Sequence, residues 1–289
     1  MEGLPKIAEQ IRVPVDITIH PHLMDHHVEG RPILPAVEAM QTLAASVKAF
    51  EPGASVACLT DAKFDKFLYI QPDRESITAF NDISVYENGN IAARLLTKTT
   101  SQKSPITRIK EHASVCFSEN IKEKTRLPLD PAPVLEGIIF DIPSERIYSD
   151  LVPFGPAYHN LQNTLHISED GAVANIRTPI TTDDHDIPEL LGSPFTLDAA
   201  FHAACVWGQR FARFTAFPVA FNKRIIVNRT RPGTTYISRV IPVKTKSDLL
   251  VFDVWIYNSD GVLFEAVSGI HMRDVSAGRM TPPPWVIAD

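Results

Sequence analysis

The segment Asp25-His26-His27-Val28-Glu29-Gly30-Arg31-Pro32-Ile33-Leu34-Pro35 holds the residue types best suited to chemistry, in a His-x-x-x-Gly-x-x-x-x-Pro pattern led by His26. Imidazole titrates near neutral pH. A histidine just ahead of a Gly/Pro-shaped turn and an apolar helix therefore suits a general base aimed into a groove. His27 adjoins it and competes for the role. Neighbouring side chains of extended backbone point to opposite faces, so only one of the two can serve. Far downstream, Asp198 and His202 are spaced i, i+4 and share one face of an expected helix. Phe195, Leu197 and Phe201 wall in the Asp198 carboxyl. Burial raises the pKa of such a group and a helix start lowers it, and the sequence leaves the balance open.

Two segments read as long, mostly apolar helices. Pro35–Phe50 has Val37, Met40, Leu43, Ala44 and Val47 at helical spacing, with Pro35 as a normal first-turn residue. Thr196–Phe211 has Leu197, Phe201, Ala204, Cys205 and Trp207, and its first turn is expected to carry Asp198. β-branched and aromatic content predicts strands at Ser76–Tyr86, Asn90–Thr99, Glu111–Phe117, Ala172–Ile176, Thr235–Val243, Leu249–Tyr257 and Val262–Met272. Asn88-Gly89 and Ser259-Asp260-Gly261 read as hairpin turns between them. Each helix precedes a long run of strands, which reads as a diverged duplication of residues 1–126 and 134–275. A Pro-rich linker, 127–133, separates the halves, and 276–289 form a tail unable to continue a sheet. The expected class is α+β: two curled antiparallel sheets, each around a central helix, joined so that the helix starts flank a shared groove.

Composition narrows the function. With 289 residues, 44% apolar and 21% charged, the chain is ordinary for a globular protein. No apolar run reaches the roughly 18 residues of a membrane span, and the N-terminus lacks a secretory pattern. Three widely spaced cysteines argue for buried thiols, without disulfide or zinc site, in a reducing cytoplasm. Asp183-Asp184-His185-Asp186 reads as a polar surface turn, and no metal site is expected. Neither a phosphate loop nor a dinucleotide fingerprint occurs. A net charge of −6 gives nucleic-acid binding no support. Yet Ala199–Ser247 contains no Asp or Glu and nine bases, among them Arg224, Arg229 and Arg231. Such a basic face suits an anionic partner.

Three motifs in order extend the reading. Asp25-His26-x-Val28-x-Gly30-x-x-x-Leu34-Pro35, Phe154-Gly155-Pro156-Ala157-Tyr158 and Leu197-Asp198-Ala199-Ala200-Phe201-His202 resemble those of the dehydratase domains of modular polyketide synthases. The resemblance covers nearly the whole chain and implies a double-hotdog fold. It implies dehydration of a 3-hydroxyacyl thioester carried on the phosphopantetheine of an acyl carrier protein, with no bound cofactor. His26 becomes the base, the Gly30 amide a donor to the thioester oxygen, Asp198 the acid and His202 its support. Pro35, Phe154, Gly155, Pro156 and Tyr158 become substrate-binding residues. Single-hotdog relatives have a shorter His-x-x-Gly spacing that would select His27; Asp25 and Val28 favour His26. Phe154 stands where the family has Tyr, Ala36 where it has Gly, and Ser193-Pro194 where it has His-Pro. Implied partners are the carrier protein, docked on the face of Arg224, Arg229 and Arg231, other synthase domains and a second copy, but no membrane. Competing readings are an enoyl-thioester isomerase or hydratase on coenzyme A or carrier substrates, and a non-catalytic acyl-binding module.

Overall fold

A computed structural model describes residues 6–100, 107–119, 134–180 and 190–287. Fourteen strands occur among them. In the first half they are β1 (Ile7–Thr18), β2 (His27–Val28), β3 (Arg31–Pro32), β4 (Cys58–Lys63), β5 (Ser76–Tyr86), β6 (Ile91–Thr100) and β7 (Thr107–Phe117). In the second they are β8 (Phe140–Pro143), β9 (Leu161–Ser168), β10 (Gly171–Arg177), β11 (Phe217–Ile226), β12 (Thr235–Thr245), β13 (Leu250–Tyr257) and β14 (Leu263–Arg273). Two long helices, α1 (Ala36–Phe50) and α2 (Pro194–Trp207), interrupt the series.

Twelve strands form one sheet in the order β1-β5-β6-β7-β4-β11-β14-β13-β12-β10-β9-β8. Adjacent strands are antiparallel, as at the β4–β11 seam where Leu59 faces Arg224. The order encodes a repeat. One unit runs β1, α1, β4, then the β5–β6–β7 meander; the other runs β10, α2, β11, then β12–β13–β14. The seam pairs the strand that follows each helix, so the two halves share one continuous sheet.

Period-2 alternation explains the strands: Ile11, Val13, Val15 and Ile17 of β1 turn toward the core while Glu9, Gln10, Arg12 and Asp16 do not. Every residue of α2 is buried, which is why its sequence is apolar nearly all round. α1 is buried through Val37, Met40, Leu43, Ala44 and Val47 and keeps Ala49 in solvent. Gln41 on α1 accepts from Leu191 N–H and donates to the Gly192 carbonyl, tying α1 to the entry of α2.

α2 begins at Pro194, two residues before the expected start, and continues past Trp207 as a wider turn over Gly208–Ala212. Asp198 therefore sits in the second turn, beyond the strongest influence of the helix start. The expected linker, 127–133, lies outside the described residues, as does Asp183–Asp186. The tail packs back on the second half: Trp285 donates to Asp150 Oδ2 at 3.0 Å and lies under the Arg146 guanidinium.

Arg224 corrects the expected docking face. It is 1% exposed, bonded through Nε to Glu265 Oε1 at 2.8 Å and through Nη2 to the Leu191 carbonyl at 3.2 Å. Its Nη1 also lies 3.8 Å from Met40 Sδ of α1, which covers that side of β11, so no partner can reach it. Among the described residues, no helix is long and apolar enough to cross a membrane.

Candidate active site

A 3-10 turn, Pro21–Asp25, delivers the chain to His26. The β2–β3 hairpin follows, turning at Glu29 (φ 51°) and Gly30 (φ 73°). Two consecutive positive φ values make the primed turn that suits a two-residue hairpin, which is what Gly30 is for. The hairpin returns Ile33 N–H to the His26 carbonyl at 2.9 Å. Leu34 N–H then reaches the Leu68 carbonyl at 2.8 Å, and α1 starts two residues later. His26 is thereby fixed at the base of a tight hairpin, beside the start of α1.

The imidazole is 7% exposed, with the Phe154 ring 4.2 Å and the Tyr158 ring 5.0 Å away, centroid to centroid. Its Nε2 lies 3.7 Å from Asp198 Oδ1. Burial pushes its pKa down to about 4, although the neighbouring Asp198 charge pulls the other way. His27 turns aside: its ring meets the edge of Phe154 at 6.4 Å and forms no part of the cavity lining.

α2 presents Asp198 and His202 on one face. His202 Nε2 lies 2.9 Å from Asp198 Oδ2, a hydrogen-bond distance at which the N–H points off the oxygen. Behind it, the Tyr148 hydroxyl is 3.5 Å from His202 Nδ1 and accepts from Leu161 N–H at 2.9 Å. Burial alone would raise the Asp198 pKa, but His202 and then His26 outweigh it and hold the carboxyl below its ordinary value. The balance left open by the sequence is thus decided by two imidazoles rather than by the helix start.

His26, Asp198 and His202 line a cavity of about 720 Å³. Leu34, Ala36 and Ala39 bring α1 to its wall, and Leu151, Val152, Pro153 and Phe154 bring the second half. Of the other expected substrate contacts, only Phe154 is there. Pro35 is the N-cap of α1, while Gly155, Pro156 and Tyr158 stand behind Phe154, outside the lining. The Tyr158 hydroxyl is buried without a hydrogen-bond partner, so it does not replace the phenol missing at Phe154 as a cavity group. Gly30, the expected donor, is exposed at the hairpin tip, outside the cavity lining.

Sequence reasoning missed the far end of the cavity, where Lys63, Lys66, Lys110 and Arg273 gather with His112 and His271. Among the described residues none of these four cations pairs with a carboxylate. They come from β4, the following loop, β7 and the end of β14, so no contiguous run in the sequence reveals them. The register brings them together: Lys63 lies opposite Ser114 and Ala220, and Ala220 opposite His271. Arg229 and Arg231 are exposed, but they follow Ile226, whereas the cavity is lined by Phe217–Ala220 at the other end of β11. At ~3.3 Å per residue that separates them from the cavity by about 20–30 Å. No group of three or more side chains suited to a metal occurs among the described residues.

The chain and its fold are similar to those of known proteins. Residues 143–282, which include Asp198 but not His26, match the family model of the polyketide synthase dehydratase N-terminal domain. Over 228 residues the chain is 26% identical to one component of the polyunsaturated fatty acid synthase of Thraustochytrium sp., a match covering 73% of this chain and 7% of that protein. The chain thus spans a small piece of the relative it matches. The structure is similar to the dehydratase domain of a mycocerosic acid synthase-like polyketide synthase, with a TM-score of 0.70 and 17% identity over 95% of both chains. It is also similar to a trans-AT polyketide synthase dehydratase domain from Brevibacillus brevis, with a TM-score of 0.67 and 15% identity over 91% of this chain and 93% of that one. The dehydratase domain of RzxB from Pseudomonas fluorescens gives 0.68 and 14% over 91% and 94%. The repeated unit described above is the hotdog, and the fold is the double hotdog.

Proposed function

We propose that the chain, which matches the polyketide synthase dehydratase model over residues 143–282, removes water from a 3-hydroxyacyl thioester to give the 2-enoyl thioester. One observation carries the reading: His26 Nε2 and Asp198 Oδ1 are 3.7 Å apart on the surface of one cavity. A base and an acid that close can act on adjacent carbons of one substrate.

Neutral His26 takes the α proton at Nε2. The Cα–H electron pair becomes the Cα=Cβ bond as the Cβ–O bond breaks, and Asp198 gives the departing hydroxyl its proton, releasing water. His26 is left protonated and Asp198 ionised, and proton return across the 3.7 Å gap resets both. A low pKa suits His26 for the neutral form at working pH. Asp198 must start protonated. A substrate that displaces water from the cavity makes its charge costlier and favours the acid form. The first N–H groups of α1 lack intrahelical partners, and Ala36 lines the cavity. They replace Gly30 as donors to the thioester oxygen, a backbone role that Ala fills as well as the family's Gly.

The substrate arrives on a phosphopantetheine arm of an acyl carrier protein, and the chemistry calls for no further cofactor. Lys63, Lys66, Lys110 and Arg273, unpaired at the cavity's edge, support docking of an acidic carrier there rather than at Arg229 and Arg231.

Incubation with a 3-hydroxyacyl thioester, read by mass spectrometry, is expected to show loss of one water and a 2-enoyl product. His26→Ala and Asp198→Asn should each cost on the order of 10²–10⁴-fold in turnover. Migration of a double bond in a 2-enoyl thioester, with no dehydration, would replace this reading by an isomerase. Unchanged activity in both variants would move the site elsewhere.

A further inference from the structure

Asp25 lies next to the base, yet the reaction gives it nothing to do. It does not line the cavity and makes no ion pair among the described residues. Two hydrogen bonds tie it to the other half of the molecule. Gly155 N–H donates to the Asp25 carbonyl at 2.7 Å, and Ala157 N–H donates to Asp25 Oδ2 at 2.8 Å. Gly155 is a glycine of necessity: a Cβ there would overlap the Asp25 carboxylate and its Cβ. The segment so held begins with Phe154, whose ring is 4.2 Å from that of His26. From the far side, His159 Nε2 bonds the Phe154 carbonyl at 2.8 Å. The peptide that follows Phe154 is therefore held at both its C=O and its N–H, and the Phe154 ring covers the imidazole that Asp25 immediately precedes.

We propose that Asp25 is a positioning residue: it clamps the Phe154–Ala157 segment of the second half onto the first, so that Phe154 closes over His26 and His26, not His27, faces Asp198. Two adjacent histidines make the register delicate, because a rotation of the backbone by one residue exchanges them. The clamp fixes the residue before the doublet by both its main chain and its side chain. The role requires an acceptor, not a charge. It rests on the dehydratase reading only for its activity readout.

Asp25→Ala and Asp25→Asn test it in the whole chain. Loss of the clamp misplaces the base, so Asp25→Ala should lower kcat on the order of 10- to 100-fold with KM little changed. Asn keeps an amide oxygen for Ala157 N–H and should recover most of that loss. A side chain that served only folding would not separate kcat from KM in this way. A second readout is independent of turnover. His26 is faced by Asp198, His202 and His27 and is held near pKa 4 by burial. When Phe154 lifts away, water reaches the ring, so its pKa in an NMR titration should move up toward the ordinary 6.5. Should Asp25→Ala fail to fold, Gly155→Ala strains the same contact with Asp25 intact and should give the same kcat loss and titration shift. The idea is overturned if Asp25→Asn is as impaired as Asp25→Ala. It is equally overturned if Gly155→Ala leaves kcat and the His26 titration unchanged. Absence of dehydration in the unmodified protein would count against the proposed function alone, since the titration shift reads the clamp without it.

Discussion

Asp198 is held between two imidazoles, with His26 Nε2 3.7 Å from one carboxylate oxygen and His202 Nε2 2.9 Å from the other. One imidazole belongs to the turn before α1 and the other to α2, so the acid couples the two halves of the molecule. Its protonation, and hence its use as an acid, depends on both.

Removing His202 should shift the alkaline side of the pH profile. His202 is the largest influence lowering the Asp198 pKa against burial. Without it, in His202→Ala, the pKa rises and the carboxyl keeps its proton to higher pH. Activity as an acid is lost when Asp198 deprotonates, so the alkaline limb of the kcat–pH curve moves upward. A limb that stays in place would remove His202 from control of the acid.

The acid side of the profile reports His26. The base works only when neutral, and it becomes protonated as pH falls through its pKa. Since burial lowers that value from 6.5 to about 4, the acid limb of kcat, read with substrate bound and Asp198 protonated, should lie near pH 4. A decline centred at pH 6–7 would mean a water-exposed imidazole and contradict the burial of the ring. Thermal melts across the same range separate titration from acid unfolding.

Arg224 is a stability residue. Its guanidinium and the Glu265 carboxylate are both about 2% exposed and paired at 2.8 Å. Truncating one partner leaves a buried charge uncompensated, so Arg224→Ala or Glu265→Ala should cost about 3–5 kcal/mol in chemical denaturation. Replacing both together by apolar residues should cost less than the sum of the two. Additive losses would show that the pair is not energetically coupled.

Docking of the carrier is testable through charge. Reversal at Lys63 and Arg273 should raise KM for carrier-linked substrate severalfold, at low salt more than at high, since the Debye length shrinks from about 10 Å at 0.1 M to about 3 Å at 1 M. A small soluble thioester should be turned over as before. Reversal at Arg229 and Arg231, at the other end of β11, should change neither. Equal losses on both substrates would assign the rim to the cavity's own chemistry and not to docking.

Much of this protein is written locally. The 3.6-residue spacing of Val37, Met40, Leu43, Ala44 and Val47 specifies a helix, and the observed one, Ala36–Phe50, differs from the expected one by a residue. Repetition of helix then strands reveals two units, because each unit's periodicities arise within a few turns or strands. The Asp198–His202 face follows from i, i+4 geometry alone. The Gly/Pro signal located the turn that follows His26.

Other features depend on distant segments, and only the folded chain decided them. Whether a basic residue is a surface charge or a buried ion pair depends on which side of β11 it falls and what packs there, so Arg224 read as a docking residue and proved internal. Lys63, Lys66, Lys110 and Arg273 converge through strand register across β7, β4, β11 and β14, and no local pattern encodes a sum over four segments. The Gly30 amide looked near the chemistry in sequence but sits at the outer end of the hairpin. The doublet shows the division most clearly. The sequence supplied two candidate imidazoles and a motif register favouring the first. The tertiary structure turned His26 toward Asp198 and His27 aside, because Asp25 is bonded across the molecule to Gly155 and Ala157.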